Sequence, residues 1–292
     1  MPIPSRPRSV TTSKPFNRPG VHLHARPVAL LASAMLAGCQ APMAELQQLS
    51  DRHGHQVVVQ ASQPFPLATS VPRQPGSASR LRVYIEGDGH AWATSSQPSL
   101  DPSPHHLMLA GLALADPLPS VYLARPCQFV DAAGCNADVW TDGRFSQAVV
   151  DSLGQALDRL KQRYGNQDFE LIGYSGGAAL ALLLASQRDD VGQLQTLAGN
   201  LSPRQWAQVM HLSPLEGSLE PLDTPGRLAR IPQRHLLGNA DTTVPASLLS
   251  HYLQRLGPAL CVQVVRVNAS HEQGWQQAWQ QWRDQPIDCP RQ

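Results

Sequence analysis

A chain of 292 residues, 42% of them hydrophobic, carries enough apolar material for a sizeable core, and its length suits one large α/β domain. Its 23 basic and 22 acidic residues leave a formal net charge of +1, which supplies no field for phosphate backbones and excludes nucleic acid as an expected partner. Only 15% of the residues are charged and 26 are prolines, which speaks for a loop-rich folded protein rather than a coiled coil or a disordered chain.

The chain opens with Arg6, Arg8, Lys14, Arg18 and Arg26 ahead of the apolar run Val28 to Leu36, the charge-then-hydrophobe layout of a secretory signal. That run is too short to span a bilayer as a helix. It closes on Leu36-Ala37-Gly38-Cys39, which resembles the lipobox of bacterial lipoproteins, where the cysteine becomes the lipidated first residue after cleavage. The resemblance implies a signal peptide over residues 1–38, a membrane anchor at Cys39 and a position in the cell envelope facing the periplasm. Gln40 stands where an aspartate usually retains such proteins at the inner membrane, so the outer membrane is expected. An ordinary signal with a chance cysteine is the competing reading, and the proline-rich stretch before the run leaves the true start of translation open.

Export changes how the remaining four cysteines are read, because an oxidising compartment permits disulfides. Of three connectivities, the two local pairs, Cys127 with Cys135 and Cys261 with Cys289, are preferred, since each would brace a loop or tail beside an expected strand. A metal site competes poorly: no Cys-x-x-Cys spacing occurs, and the pairs His53/His55 and His105/His106 lack a nearby third ligand.

Residues 39–80 are rich in Gln, Pro and Ser, with short alternation at His55 to Gln60, and suit a tether followed by a small edge hairpin. From Leu81 short β-branched runs alternate with helix-length amphipathic stretches, the pattern of parallel strands joined by helical crossovers. Strands are expected at Leu81 to Glu86, Val121 to Ala124, Phe169 to Gly173, Leu194 to Leu197, His235 to Leu237 and Val262 to Val267. Between Ser146 and Tyr164, Val149, Val150, Leu153, Leu157 and Leu160 recur at three- and four-residue spacing, which predicts a helix with one buried stripe. Ala178 to Ser186 is almost wholly apolar, as a helix buried against a sheet should be. Val244 to Leu256 and Gln273 to Trp282 complete the expected helices.

Gly173-Tyr174-Ser175-Gly176-Gly177 fits G-x-S-x-G, with the β-run Phe169-Glu170-Leu171-Ile172 leading in and an apolar helix leading out. That setting asks for a sharp turn that lifts the Ser175 hydroxyl clear of a sheet; a chemically silent glycine-rich turn is the alternative. A serine hydroxyl needs a histidine to take its proton, and the histidine needs a carboxylate to fix its tautomer. Gly238-Asn239-Ala240-Asp241-Thr242-Thr243-Val244-Pro245 follows the strand at His235 and resembles the G-x-x-D-x-x-V-P segment that carries the acid in α/β-hydrolases, a resemblance that implies Asp241 as the acid, with a turn or helix-capping aspartate as the alternative. Asp223 is a weaker rival in a proline-rich loop. His271 follows the last expected strand and is the expected base, with an exposed loop histidine as the alternative, whereas His235 lies inside a strand and His251 mid-helix. Backbone donors for an oxyanion are expected from Gly176 and from Asp88 or Gly89 in the glycine-rich turn after Tyr84-Ile85-Glu86, where the Lys and Ser/Thr of a phosphate-binding loop are missing.

The set resembles the α/β-hydrolase superfamily, and more narrowly a group of uncharacterised bacterial lipoproteins of that fold. The narrower likeness rests on Tyr84-Ile85-Glu86-Gly87-Asp88-Gly89 with Ala91-Trp92, on Ala124-Arg125-Pro126-Cys127-Gln128, and on Trp140-Thr141-Asp142-Gly143-Arg144-Phe145, besides the elbow and the two late segments. It covers residues 81 to about 275. The resemblance implies a three-layer α/β fold with a mostly parallel eight-stranded sheet over residues 81–292. It also implies a short lid insert at about 199–231, where Trp206, His211 and Leu212 are candidates to line the substrate pocket, with simple packing as the alternative for the Trp. The activity so implied is hydrolysis of an ester or related acyl bond in a small-molecule or lipid-like substrate, through an acyl-Ser175 intermediate and without cofactor or metal. A non-catalytic envelope lipoprotein using the fold as a binding scaffold, and a serine peptidase, are the other classes.

Overall fold

The computed structural model describes residues 42–74, 76, 78–258 and 261–288. Cys39, the apolar run before it and Cys289 lie outside the described residues.

The described residues open with helix α1 (Pro42–Arg52), where the sequence suggested a tether. Leu46 and Ser50, one turn apart, are buried, and the Ser50 hydroxyl lies 2.8 Å from that of Ser70. A short polar helix with so narrow an apolar stripe gives little periodic signal, which is why composition pointed to a tether. Strands β1 (His55–Gln60) and β2 (Leu67–Pro72) form the expected antiparallel hairpin, which continues the main sheet. After β3 (Arg80–Ile85) come α2 (Met108–Leu114), β4 (Ser120–Leu123), the single turn α3 (Ala137–Trp140) and the long helix α4 (Gln147–Tyr164). Next, β5 (Asp168–Tyr174) runs straight into α5 (Gly176–Gln187), followed by β6 (Val191–Leu197). The segment expected as a lid carries α6 (Pro203–Val209), a 3-10 turn at Pro221–Asp223 and α7 (Pro225–Leu228). The chain then forms β7 (Gln233–Gly238), α8 (Ser247–Leu256), β8 (Val262–Val267) and α9 (Trp275–Trp282).

The eight strands lie in one sheet in the order β1-β2-β4-β3-β5-β6-β7-β8. Only the pairs involving β2 are antiparallel; β4, β3, β5, β6, β7 and β8 run parallel. Alternation along the strands sorts side chains to two faces. In β3, Leu81, Val83 and Ile85 join one apolar cluster with α4 and α5, while Tyr84 faces the other with α2 and α9. Ten of the twelve residues of α5 are buried, so this helix has no polar stripe and sits in the centre of its layer.

The strand order also locates the site. From β3 the chain moves outward to β4 on one side, then returns to place β5 on the other side of β3, so the order reverses between β3 and β5. At such a switch point the loops leaving the two strands diverge and open a crevice at their carboxyl ends. The Glu86-to-Gly89 turn follows β3 and Ser175 follows β5, and both border that crevice.

Candidate active site

Ser175 sits between β5 and α5 with φ 51° and ψ −123°, a conformation that costs an L-residue on the order of 1–3 kcal/mol and persists only where the surroundings impose it. They do so here through the Ser175 N–H, which donates to the Leu197 carbonyl at 3.0 Å, and through its carbonyl, which accepts from the N–H groups of Asn200 at 3.0 Å and Ala178 at 3.1 Å. The close approach of helix to strand explains the glycine two residues on: a Cβ on Gly177 would lie 2.2 Å from the Ile85 carbonyl oxygen.

The three residues expected to work together are brought together. The Ser175 hydroxyl is 3.0 Å from His271 Nε2, and His271 Nδ1 is 3.0 Å from Asp241 Oδ2 and 3.1 Å from Oδ1. The Asp241 side chain is 2% exposed against 17% for His271, so the carboxylate is shielded while the imidazole meets the cavity. Asp241 Oδ1 also accepts from the N–H groups of Thr243 and Val244, both at 2.9 Å, so the turn aspartate considered as an alternative and the histidine's partner are one residue. The His271 carbonyl accepts from the Tyr174 hydroxyl and from Trp275 Nε1, each at 2.8 Å, which ties the histidine loop to the elbow and to α9.

These residues open onto a cavity of about 390 Å³ whose lining mixes Glu86, Asn200, Glu272, His90 and His105 with Met108, Leu109 and Val244. His90 and His105 stack with ring centroids 3.9 Å apart. Trp206 of α6 lines the cavity, its indole N–H donating to the Thr243 carbonyl at 2.8 Å. His211 and Leu212 do not: Leu212 is 48% exposed and borders a separate groove with Pro203 and Leu215, because the chain after α6 turns away from the crevice. The Asn200 side chain is buried and its amide oxygen has no hydrogen-bond partner.

The turn after β3 packs against the elbow. Gly89 has φ +62° and its Cα faces the Pro102 carbonyl so closely that a Cβ would lie 2.2 Å from that oxygen, hence glycine. Among the described residues, the N–H groups of Asp88, Gly89 and Gly176 have no acceptor within the protein. By contrast the Gly87 N–H is taken by Glu86 Oε1 at 2.8 Å. The Glu86 carboxyl is buried, which pushes its pKa up to about 7 although the Tyr122 hydroxyl, at 2.7 Å, favours the ionised form. For Asp88 burial acts in the same upward direction, but the guanidiniums of Arg144 and Arg125 overcome it and hold the carboxyl at about 2.

The residues weighed as alternatives fall elsewhere. Asp223, the rival acid, pairs with Arg204 on the surface at 2.9 Å. His235 is buried in β7 between Thr196 and Gln233, and desolvation lowers its pKa to about 3, so it is a neutral packing residue. Cys127 and Cys135 form a disulfide with Cα atoms 5.7 Å apart, while the pair Cys261 and Cys289 reaches outside the described residues. Among the described residues no group of three or more His, Cys, Asp or Glu side chains is arranged to hold a metal ion.

No family model matches the chain, and no curated protein matches it by sequence. Solved structures do match in three dimensions. An esterase of Pyrococcus furiosus, Pf2001, aligns over 78% of this chain and 88% of its own, with a TM-score of 0.56 and 15% identity. The fold is that of the α/β hydrolases. Within that fold, Est1E from Butyrivibrio proteoclasticus is similar over 74% of this chain and 90% of its own, with a TM-score of 0.52 and 12% identity. An alpha-beta serine hydrolase homologue from Coxiella burnetii covers 74% and 88% at a TM-score of 0.50 and 16% identity.

Proposed function

We propose that the protein is a serine hydrolase that cleaves an ester or related acyl bond through an acyl-Ser175 intermediate. The observation that carries this reading is the continuous chain from Ser175 Oγ to His271 Nε2 and from His271 Nδ1 to Asp241, at the mouth of a cavity. His271 takes the Ser175 proton as the hydroxyl attacks the acyl carbon, then returns it to the leaving group. Asp241 stabilises the imidazolium between these steps. The N–H groups of Gly176 and of Asp88 or Gly89 receive the oxyanion. Water, activated by His271, then releases the acyl group. Esterases and serine hydrolases among the structural neighbours agree with this chemistry.

A burst of chromophore from p-nitrophenyl butyrate, equal to the enzyme concentration and followed by slower turnover, is the expected signature of the acyl-enzyme. Turnover with neither a burst nor trapping of an acyl group by hydroxylamine would count against a covalent intermediate. An anilide of the same acyl group separates esterase from peptidase, the esterase reading requiring turnover of the ester alone. We also propose, from Leu36-Ala37-Gly38-Cys39, that the protein is lipid-anchored in the envelope facing the periplasm. A Cys39→Ser variant is then expected to leave the membrane fraction, and one that stays there would remove the anchor from the account.

A further inference from the structure

Three segments that the proposed triad leaves unexplained meet at one place. Asp88 comes from the turn after β3, Arg125 and Gln128 from the loop after β4, and Arg144 from the loop before α4. Arg125 Nη1 pairs with Asp88 Oδ1, and Arg144 Nη1 with Asp88 Oδ2 at 2.6 Å. Both guanidinium side chains are 5% exposed. Each is also anchored to backbone: Arg125 Nη2 donates to the Arg144 carbonyl at 2.7 Å, and Arg144 Nε to the Thr141 carbonyl at 2.6 Å. Gln128, 2% exposed, works from the other side. Its amide nitrogen donates to the Gly87 carbonyl at 3.0 Å and lies 3.4 Å from that of Pro102, while its oxygen accepts from the Arg125 N–H at 3.0 Å. The Cys127–Cys135 disulfide fixes the loop that carries both.

The place they hold is next to the nucleophile. A Cβ built on Gly176 would lie 2.0 Å from Asp88 Oδ1 and 3.0 Å from Arg125 Nη1, so the cluster packs directly on the residue after Ser175. Two buried charges facing one of opposite sign are costly to assemble, and replacing such a cluster by apolar residues is often neutral or stabilising. Stability alone therefore gives no reason for this arrangement beside the elbow. Rigid placement of a turn does: oxyanion donors act only when they are held in position before charge develops.

We propose that Arg125, Arg144 and Gln128 are positioning residues that clamp the Gly87-to-Gly89 turn through Asp88 and the Gly87 carbonyl, so that its N–H groups face the oxyanion formed at Ser175. The inference rests on the serine-hydrolase reading above. It adds a specific claim: residues that touch neither substrate nor triad set the stabilisation of the tetrahedral state while leaving ground-state binding alone.

The test compares the parent protein with Gln128→Met, which keeps the volume and removes all three bonds of the amide, and with Arg144→Lys, which keeps the charge and loses the fork. Each is assayed for kcat and KM with p-nitrophenyl butyrate, for inhibition by phenylboronic acid, which forms a tetrahedral adduct on an activated serine, and for its thermal transition. The expected result is a kcat lower by about 10- to 100-fold, KM within twofold, and boronate affinity lower by the same factor as kcat, measured on protein with a cooperative transition. A merely structural role would lower the transition temperature and the amount of active protein, and leave boronate affinity per active site as in the parent. If both variants keep the parent's kcat and boronate affinity within twofold, or lose them only with the fold, the clamp is overturned and the serine-hydrolase reading stands. A parent that neither turns over the ester nor binds the boronate overturns both.

Discussion

At Ser175 the chain accepts a strained backbone, and the groups that impose it come from the first turn of α5, through Ala178, and from the end of β6 and just beyond it, through Leu197 and Asn200. At Asp241, Oδ1 serves the Thr243 and Val244 N–H groups as well as the histidine. This double duty makes Asp241→Asn informative. An asparagine oxygen still accepts from the turn, so the loop holds, but its amide nitrogen cannot accept the Nδ1 proton of His271 and the imidazole is left in the wrong tautomer. The variant is expected to lose about 10⁴-fold in kcat with an unchanged melting temperature. A loss below tenfold in ester turnover would show that Asp241 is only a turn residue. Ser175, Asp241 and His271 were legible because each follows a strand end in chain order, a local signal repeated three times. The segments holding Arg125, Gln128 and Arg144 stood out in the sequence, but what these residues and Asn200 touch did not, because it is fixed by loops far apart in sequence and no local spacing records it.

Among the elements, α5 and the strands around it were the most legible, because uninterrupted apolar residues bounded by glycine read the same way locally and in the fold. Leu182, fully buried in the centre of α5, has no route to solvent, so Leu182→Ala is expected to cost about 3 kcal/mol in denaturant unfolding; a cost under 1 kcal/mol would mean that the layer repacks freely. Less legible were the helices α1, α2 and α6, which are short and recruit their stability from neighbours rather than from a periodic stripe. On the α9 side of the sheet a buried polar belt sets the position of the last helix. Arg82 pairs with Asp116 and Glu170, both at 3.0 Å, and with Asp284 at 2.7 Å. Arg234 donates to the carbonyls of Trp282, Gln285 and Pro286 at 2.7 to 2.8 Å. Removing Arg82 leaves buried carboxylates unpaired, so Arg82→Met is expected to cost roughly 3–5 kcal/mol, measured by denaturant melts.

For the molecule as a whole, buried ionisable groups shape its response to pH. Glu86, whose pKa rises from 4.5 to about 7 on burial, binds a proton in the folded state that the unfolded chain has released, so its contribution to stability falls as pH rises through that window. His235, held at about 3, acts oppositely: the unfolded chain binds the proton, so stability rises as pH climbs from about 3 towards 6.5. The two partly cancel in the parent. Glu86→Gln keeps an acceptor for the Gly87 N–H and a partner for Tyr122 while removing the charge. Its stability relative to the parent is expected to grow by about 3 kcal/mol from pH 4.5 to pH 7. A difference that stays constant across that range would show that Glu86 titrates normally. A mostly parallel sheet with helical crossovers could be expected from the alternation of strands and helices, whereas the strand order, the crevice it opens and the buried charges under the turn after β3 could not.

On the proposed function, Ser175 is a nucleophile activated by His271. This role is tested most directly by treating the purified protein with a fluorophosphonate and mapping the added mass to a peptide. One stoichiometric adduct is expected on Ser175 at neutral pH, formed at least a thousandfold more slowly in His271→Ala, and none in Ser175→Ala. An unmodified parent protein, or an adduct that persists in Ser175→Ala, would contradict it.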